Sequence, residues 1–142
     1  MERIRMNIQR LPIKAFTLFE SLLTLSLMTF VLLVLSGSVR ASFDQVESQI
    51  FLLEFEHFYR ESQKLSVTGQ EGLTLRISQG EISNGYSRLS VPKSVKVLED
   101  LDLHFDQAGG NSSLEKIRFQ TQEGIVNYQL FIGNGKIKKT KD

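Results

Sequence analysis

The chain has 142 residues, 41% hydrophobic and 23% charged, with 17 Lys and Arg against 16 Asp and Glu. That length allows one domain with an appendage, and the composition excludes a fibrous repeat or wholesale disorder. With no cysteine in the sequence, a disulfide framework, a thiolate metal site and a cysteine nucleophile are all excluded.

The charge balance conceals three unlike segments. Residues 1–14 carry Arg3, Arg5, Arg10 and Lys14 against Glu2, a net +3. Residues 16–135 carry 9 basic and 14 acidic side chains, a net −5. The tail carries Lys136, Lys138, Lys139 and Lys141 against Asp142, again +3. A general nucleic-acid binder shows a basic face across its body, and this body is acidic.

Residues 21–39 form a run of 19 without an ionisable side chain. At helical rise it spans roughly 28 Å, close to the hydrocarbon thickness of a bilayer. Its leucines, Met28, Phe30, Val31 and Val34 fall all round a helix, where a surface helix would show a stripe. The run reads as a membrane segment. The basic residues ahead of it predict a cytoplasmic N-terminus, with everything after Arg40 outside. A cleaved secretory signal is the bland alternative, with Ser36-Gly37-Ser38 as small residues for cutting. The run exceeds the ~7–15-residue core of such signals, and Glu20 stands at its start.

A carboxylate at the start of a membrane helix asks for a partner unless it lies in the interface. Its setting is Lys14-Ala15-Phe16-Thr17-Leu18-Phe19-Glu20-Ser21-Leu22-Leu23. This resembles the class III signal of type IV pilins and pseudopilins: a short basic leader, a small residue, then Phe-Thr-Leu-x-Glu opening an apolar helix. The resemblance implies cleavage by prepilin peptidase between Ala15 and Phe16, and N-methylation of Phe16. It also implies an assembly salt bridge from Glu20 to the new terminal amine of a neighbouring subunit. The family usually has Gly before the cut, where this chain has Ala15.

The helix is predicted to continue beyond the membrane. Phe43, Val46, Ile50 and Leu53 recur at three- and four-residue steps, with Phe51, Phe55 and Phe58 as an adjacent ridge. Phenylalanines here are expected to pack under a head domain. Thr68-Gly69-Gln70-Glu71-Gly72 then breaks the helix.

Beyond the break the period becomes two. Leu73, Leu75 and Ile77 alternate with polar residues, as do Leu101, Leu103 and Phe105, then Ile117 and Phe119, then Val126, Tyr128 and Leu130. Asn84-Gly85 and Asn134-Gly135 predict primed hairpin turns, with Glu123-Gly124 as a third turn. Gly109-Gly110-Asn111-Ser112-Ser113 reads as an exposed loop. Only 26 of the 78 residues from 65 to 142 are apolar, so the head is expected to lean on the outer half of the helix.

The predicted fold is therefore α+β, a long N-terminal helix packed by a small antiparallel β-meander, the pilin-like lollipop. Its parts are a leader (1–15), a transmembrane assembly helix (16–39), an amphipathic continuation (40–66) and a β head (67–142).

No catalytic, nucleotide or cofactor motif stands out, so no enzyme activity, cofactor or metal is expected. His57 reads as a partly exposed packing residue. Asp100, Asp102, His104 and Asp106 share one strand face; side chains two apart on a strand stand ~6.5–7 Å apart, which favours a solvated face over a cation site. The tail lysines Lys136, Lys138, Lys139 and Lys141 are weak candidates for polyanion or DNA contact.

Within the pilin-like family, the leader, single helix, length and Lys-rich end look most like the ComGF group of minor competence pseudopilins. That resemblance implies a subunit of the transformation pilus, acting in DNA uptake. Its implied partners are the major pilin ComGC and the minor pilins ComGD, ComGE and ComGG, served by a membrane platform protein and an assembly ATPase. Two other readings stay open: a pseudopilin of a secretion or adhesion system, and a membrane-anchored binding protein that never assembles.

Overall fold

The computed structural model describes residues 13–111 and 113–141, with side chains from Thr17 onward. The basic leader lies outside these but for its last residues, as do the side chains of Ala15 and Phe16. One helix, α1 (Ile13–Gly69), precedes eight strands. The chain divides after Arg40 into two compact units.

The first unit is the apolar part of α1. It is long and apolar enough to cross a membrane, and its side chains from Thr17 are all exposed. Leucine dominates it, a residue whose side chain loses little freedom on a helix.

The second unit begins at Ala41. Here α1 ends at Gly69, three residues beyond the expected 66 and inside the predicted break. Gln70 takes the left-handed conformation (φ 50°) that turns the chain away. The strands are β1 (Leu73–Ile77), β2 (Glu81–Ser83), β3 (Arg88–Ser90), β4 (Lys96–Val97), β5 (Leu101–Phe105), β6 (Lys116–Thr121), β7 (Gly124–Leu130) and β8 (Ile137–Lys141).

They form two antiparallel sheets, ordered β3-β2-β1-β5 and β4-β6-β7-β8, in place of one meander. Hairpins join β2-β3, β6-β7 and β7-β8 near the predicted turns, and a further hairpin joins β1 to β2. β4 instead leaves the first sheet for the edge of the second, and β5 returns to lie beside β1.

The turns also differ in detail. A primed Asn-Gly turn needs positive φ at both residues. Gly85 (φ 84°) and Gly135 (φ 59°) have it, but Asn84 and Asn134 do not. Asn84 is buried instead, its amide donating to Ser62 Oγ at 2.9 Å while its Oδ1 accepts from the Ser87 backbone at 2.8 Å. The third turn centres on Gln122-Glu123, because Thr121 pairs directly with Gly124.

The core lies between α1 and both sheets. Phe55, fully buried, meets Phe119 edge-on at 4.9 Å and Tyr128 at 5.1 Å between ring centroids. Tyr59 meets Phe105 of the other sheet at 5.1 Å. Leu75, Ile77, Leu103 and Leu130 fill the space between, on the inward positions of their strands.

The loop expected to be exposed is buried at Gly109, Gly110 and Asn111. Gln63 Nε2 donates to Gly109 O at 2.7 Å, and Gly133 N donates to Asn111 O at 3.0 Å. A Cβ added at Gly110 would stand 2.7 Å from Gly133 O. Gly110→Ala is therefore expected to cost about 1–3 kcal/mol by forcing two backbones apart. Denaturant midpoints of the full-length chain, compared with Gly80→Ala as a left-handed but uncrowded control, measure it.

Candidate functional site

The chain offers two places where chemistry or recognition is concentrated, one in each unit. In the apolar segment three hydroxyls bond back to their own helix. Ser21 Oγ donates to Thr17 O at 2.8 Å, Thr24 Oγ1 to Glu20 O at 3.0 Å, and Thr29 Oγ1 to Leu25 O at 2.8 Å. Such back-bonding is how hydroxyls survive without water. Glu20 has no such outlet: among the described residues none reaches its carboxylate, and its neighbours Leu18, Phe19, Leu22 and Leu23 are exposed. Glu20 is thus the one acidic side chain described between Thr17 and Val39, set on an otherwise apolar and exposed surface.

In the second unit, polar clamps fix the sheets on α1. Tyr128 Oη donates to Glu56 Oε1 at 2.9 Å, and Lys139 Nζ donates to the same oxygen at 3.1 Å while standing 5.6 Å over the Tyr128 ring. Burial and the adjoining Glu56 carboxylate raise the Tyr128 hydroxyl well above its usual range. Tyr59 Oη donates to Gly135 O at 3.0 Å, with the Asn111 amide 3.2 Å away. Burial pushes that phenol up to about 12, against a smaller opposing effect of Asn111.

Near the Ala41 end of this unit, the Gln122-Glu123 turn holds the helix. Gln122 Nε2 donates to Asp44 Oδ2 at 3.0 Å, and Gln49 Nε2 donates to Glu123 at 3.1 Å. Lys141 Nζ pairs with the same carboxylate, and with Gln45 and Gln49 donating as well, the Glu123 carboxyl is held below its ordinary range.

The remaining sequence candidates land as follows. The tail is not a loose end: it is β8, an edge strand. Two of its lysines, Lys139 and Lys141, pair with carboxylates while staying about half-exposed, and Lys136 and Lys138 are exposed too. Lysines along an edge strand discourage edge-to-edge pairing. His57 does not pack; its side chain is 83% exposed, 3.9 Å from Glu61. On β5, Asp102 pairs with Arg76 at 3.2 Å, and His104 Nδ1 lies 3.2 Å from Thr74 Oγ1, both toward solvent.

Sequence reasoning missed the Tyr128–Glu56–Lys139 and Tyr59–Asn111 clamps. Glu56 and Lys139 are 83 residues apart, and no local pattern links them.

No family model matches the chain, and no solved structure matches it. Among curated proteins, "Competence protein ComGD" of Streptococcus pneumoniae strain R6 is 49% identical over 142 residues, covering 100% of this chain and 89% of the relative. The relative's name supports the competence pseudopilin group but not the ComGF member of it. The leader, single helix, length and Lys-rich end that suggested ComGF thus occur in a chain whose curated relative is a ComGD. Such identity over the full length, on a long helix packed against antiparallel sheets, shows that the chain belongs to the competence pseudopilin family.

Proposed function

We propose that the chain is a minor pseudopilin of the competence pilus, filling the position that the name ComGD denotes rather than that of ComGF. The 49% identity across the whole chain carries this reading. Prepilin peptidase cuts between Ala15 and Phe16, and Phe16 is N-methylated. The mature chain then begins at Phe16. Before assembly it spans the membrane once, N-terminus in the cytoplasm and β sheets outside.

Assembly is mechanical. Glu20 pairs with the terminal amine of a neighbouring subunit, two opposite charges at one depth relieving each other's desolvation. A platform protein and a cytoplasmic ATPase supply the work, and the apolar helices pass from bilayer to fibre. The partners are the major pilin ComGC and the minor pilins ComGE and ComGG. ComGF takes the place of ComGD among them, since this chain itself fills that position. Contact with DNA is indirect: Lys139 and Lys141 are engaged within the fold, which leaves Lys136 and Lys138 as a thin contact for phosphates.

The intact mass of the chain extracted from competent cells tests the reading. The expected species begins at Phe16 and is one methyl group heavier than the bare peptide. Retention of residues 1–15 in cells with active peptidase overturns it.

A further inference from the structure

Two Asn-Gly pairs, Asn84-Gly85 and Asn134-Gly135, stand in turns of the second unit, and the fold treats them oppositely. Such a pair carries a reaction of its own, because glycine has no Cβ to shield its nitrogen from the preceding side chain. That nitrogen, once its proton is lost, attacks the asparagine Cγ and closes a cyclic imide. The Cγ–Nδ2 bond breaks, and the side-chain nitrogen leaves with a proton as ammonia. Water then opens the ring at either carbonyl, giving aspartate or isoaspartate, the latter with the side-chain methylene in the main chain. Water is consumed and ammonia released, with no oxidation or reduction.

At Asn84 the reacting atoms are tied. The residue is 3% exposed, and its departing nitrogen donates to buried Ser62 Oγ at 2.9 Å. Its Oδ1 accepts from Tyr86 N at 3.0 Å and Ser87 N at 2.8 Å, and the nucleophile, Gly85 N, donates to Ser83 Oγ at 3.3 Å. At Asn134 the same atoms are open. The residue is exposed, and neither its Nδ2 nor Gly135 N donates to any of the described residues. Lys136 N donates to Asn134 Oδ1 at 3.0 Å, which folds the side chain back over Gly135 and stabilises the oxygen that gains charge as the ring closes. Gln63 Nε2 donates at 3.2 Å to Asn134 O, the carbonyl of the peptide whose nitrogen must lose its proton, and draws electrons from it.

We infer that Asn134 is a modification site of the folded chain, where spontaneous deamidation by way of the imide converts the β7–β8 turn, while Asn84 is protected. The product matters because the turn has no spare room. A Cβ added at Gly135 would collide with Gln63 Nε2 and Gly109 O, and Tyr59 Oη is bonded to Gly135 O. The added main-chain methylene of isoaspartate displaces Gly135 from Tyr59 and loosens β8, whose Lys139 and Lys141 reach Glu56 and Glu123. The inference is independent of the proposed function, since it needs only this turn and water.

The test ages the full-length chain in detergent at neutral pH, in heavy-oxygen water, and reads both sites by fragment mass after digestion in acid. Asn134 is expected to convert about tenfold faster than Asn84 and to carry one heavy oxygen in its products, aspartate and isoaspartate. In urea the two rates should converge, because the fold alone distinguishes two Asn-Gly pairs. Equal rates in the folded chain, an intact Asn134, faster loss at Asn84 or rates that stay apart in urea each overturn the inference. The effect on the hairpin is read by proteolysis between residues 131 and 141. Cleavage should rise with isoaspartate content, whereas unaged Asn134→Asp, which has the charge without the methylene, should resist as the parent does. Cleavage indifferent to ageing, or equally raised in Asn134→Asp, overturns the loosening of β8.

Discussion

Phe55→Ala is expected to destabilise the helix–sheet unit by about 3–5 kcal/mol, the range for deleting a fully buried aromatic side chain. Phe55 is the residue on which α1 meets the second sheet: its ring touches Phe119 and Tyr128 edge-on and lies 6.4 Å from Tyr59. Truncation leaves a cavity whose walls cannot easily collapse, because Phe119 and Tyr128 are held by the β6–β7 register and Tyr128 is tied to Glu56. Phe43→Ala, on the same helix, removes the same group from a side chain that is 71% exposed and should stay within about 0.5 kcal/mol of the parent. Denaturant-dependent proteolysis of the full-length chain, read on fragments of the sheet unit, measures both. Equal losses at the two positions would mean that the core does not lie where Phe55 places it.

That contrast also shows what the sequence could convey. The four longest alternating runs became β1, β5, β6 and β7, because a period of two over five or more residues with one buried face admits little else. β2, β3 and β4 have only two or three residues, too few to display a period, and β4 follows Pro92, which reads as loop. The exchange of β4 and β5 between sheets was invisible for the same reason: pairing partners are non-local, whereas the pattern is local. The helix was legible as a helix, but its two apolar faces were not separable. Phe43 and Phe55 look alike in a list of spacings, and only the position of the sheets shows that one is covered and the other bare. For the membrane segment the reverse holds. Glu20 was conspicuous in the sequence as the one acidic residue bordering the apolar run, and the structure adds that none of the described residues reaches its carboxylate.

Glu20→Ala is expected to lower transformation and pilus incorporation together by about a hundredfold or more. Breaking a desolvated ion pair by deleting one partner costs about 3–5 kcal/mol, which corresponds to about two to three orders of magnitude in an association constant. The effect on insertion runs the other way. A carboxylate within a membrane helix costs up to about 3 kcal/mol, so alanine favours the bilayer and the membrane pool should hold steady or rise. Ser21, Thr24 and Thr29 bond to their own helix and place no demand on the carboxylate, so the helix itself should persist. The proposed peptidase site at Ala15 and Phe16 is untouched, and on that proposal processing should continue. Loss of function through misfolding or poor insertion would instead deplete the membrane fraction. Immunoblots of membrane and sheared-surface fractions, beside transformation frequency, separate the two causes. Glu20→Gln, which keeps the shape but not the charge, should fail nearly as badly as Glu20→Ala. If either variant assembles and transforms normally at normal expression, the charge at Glu20 has no part in joining subunits.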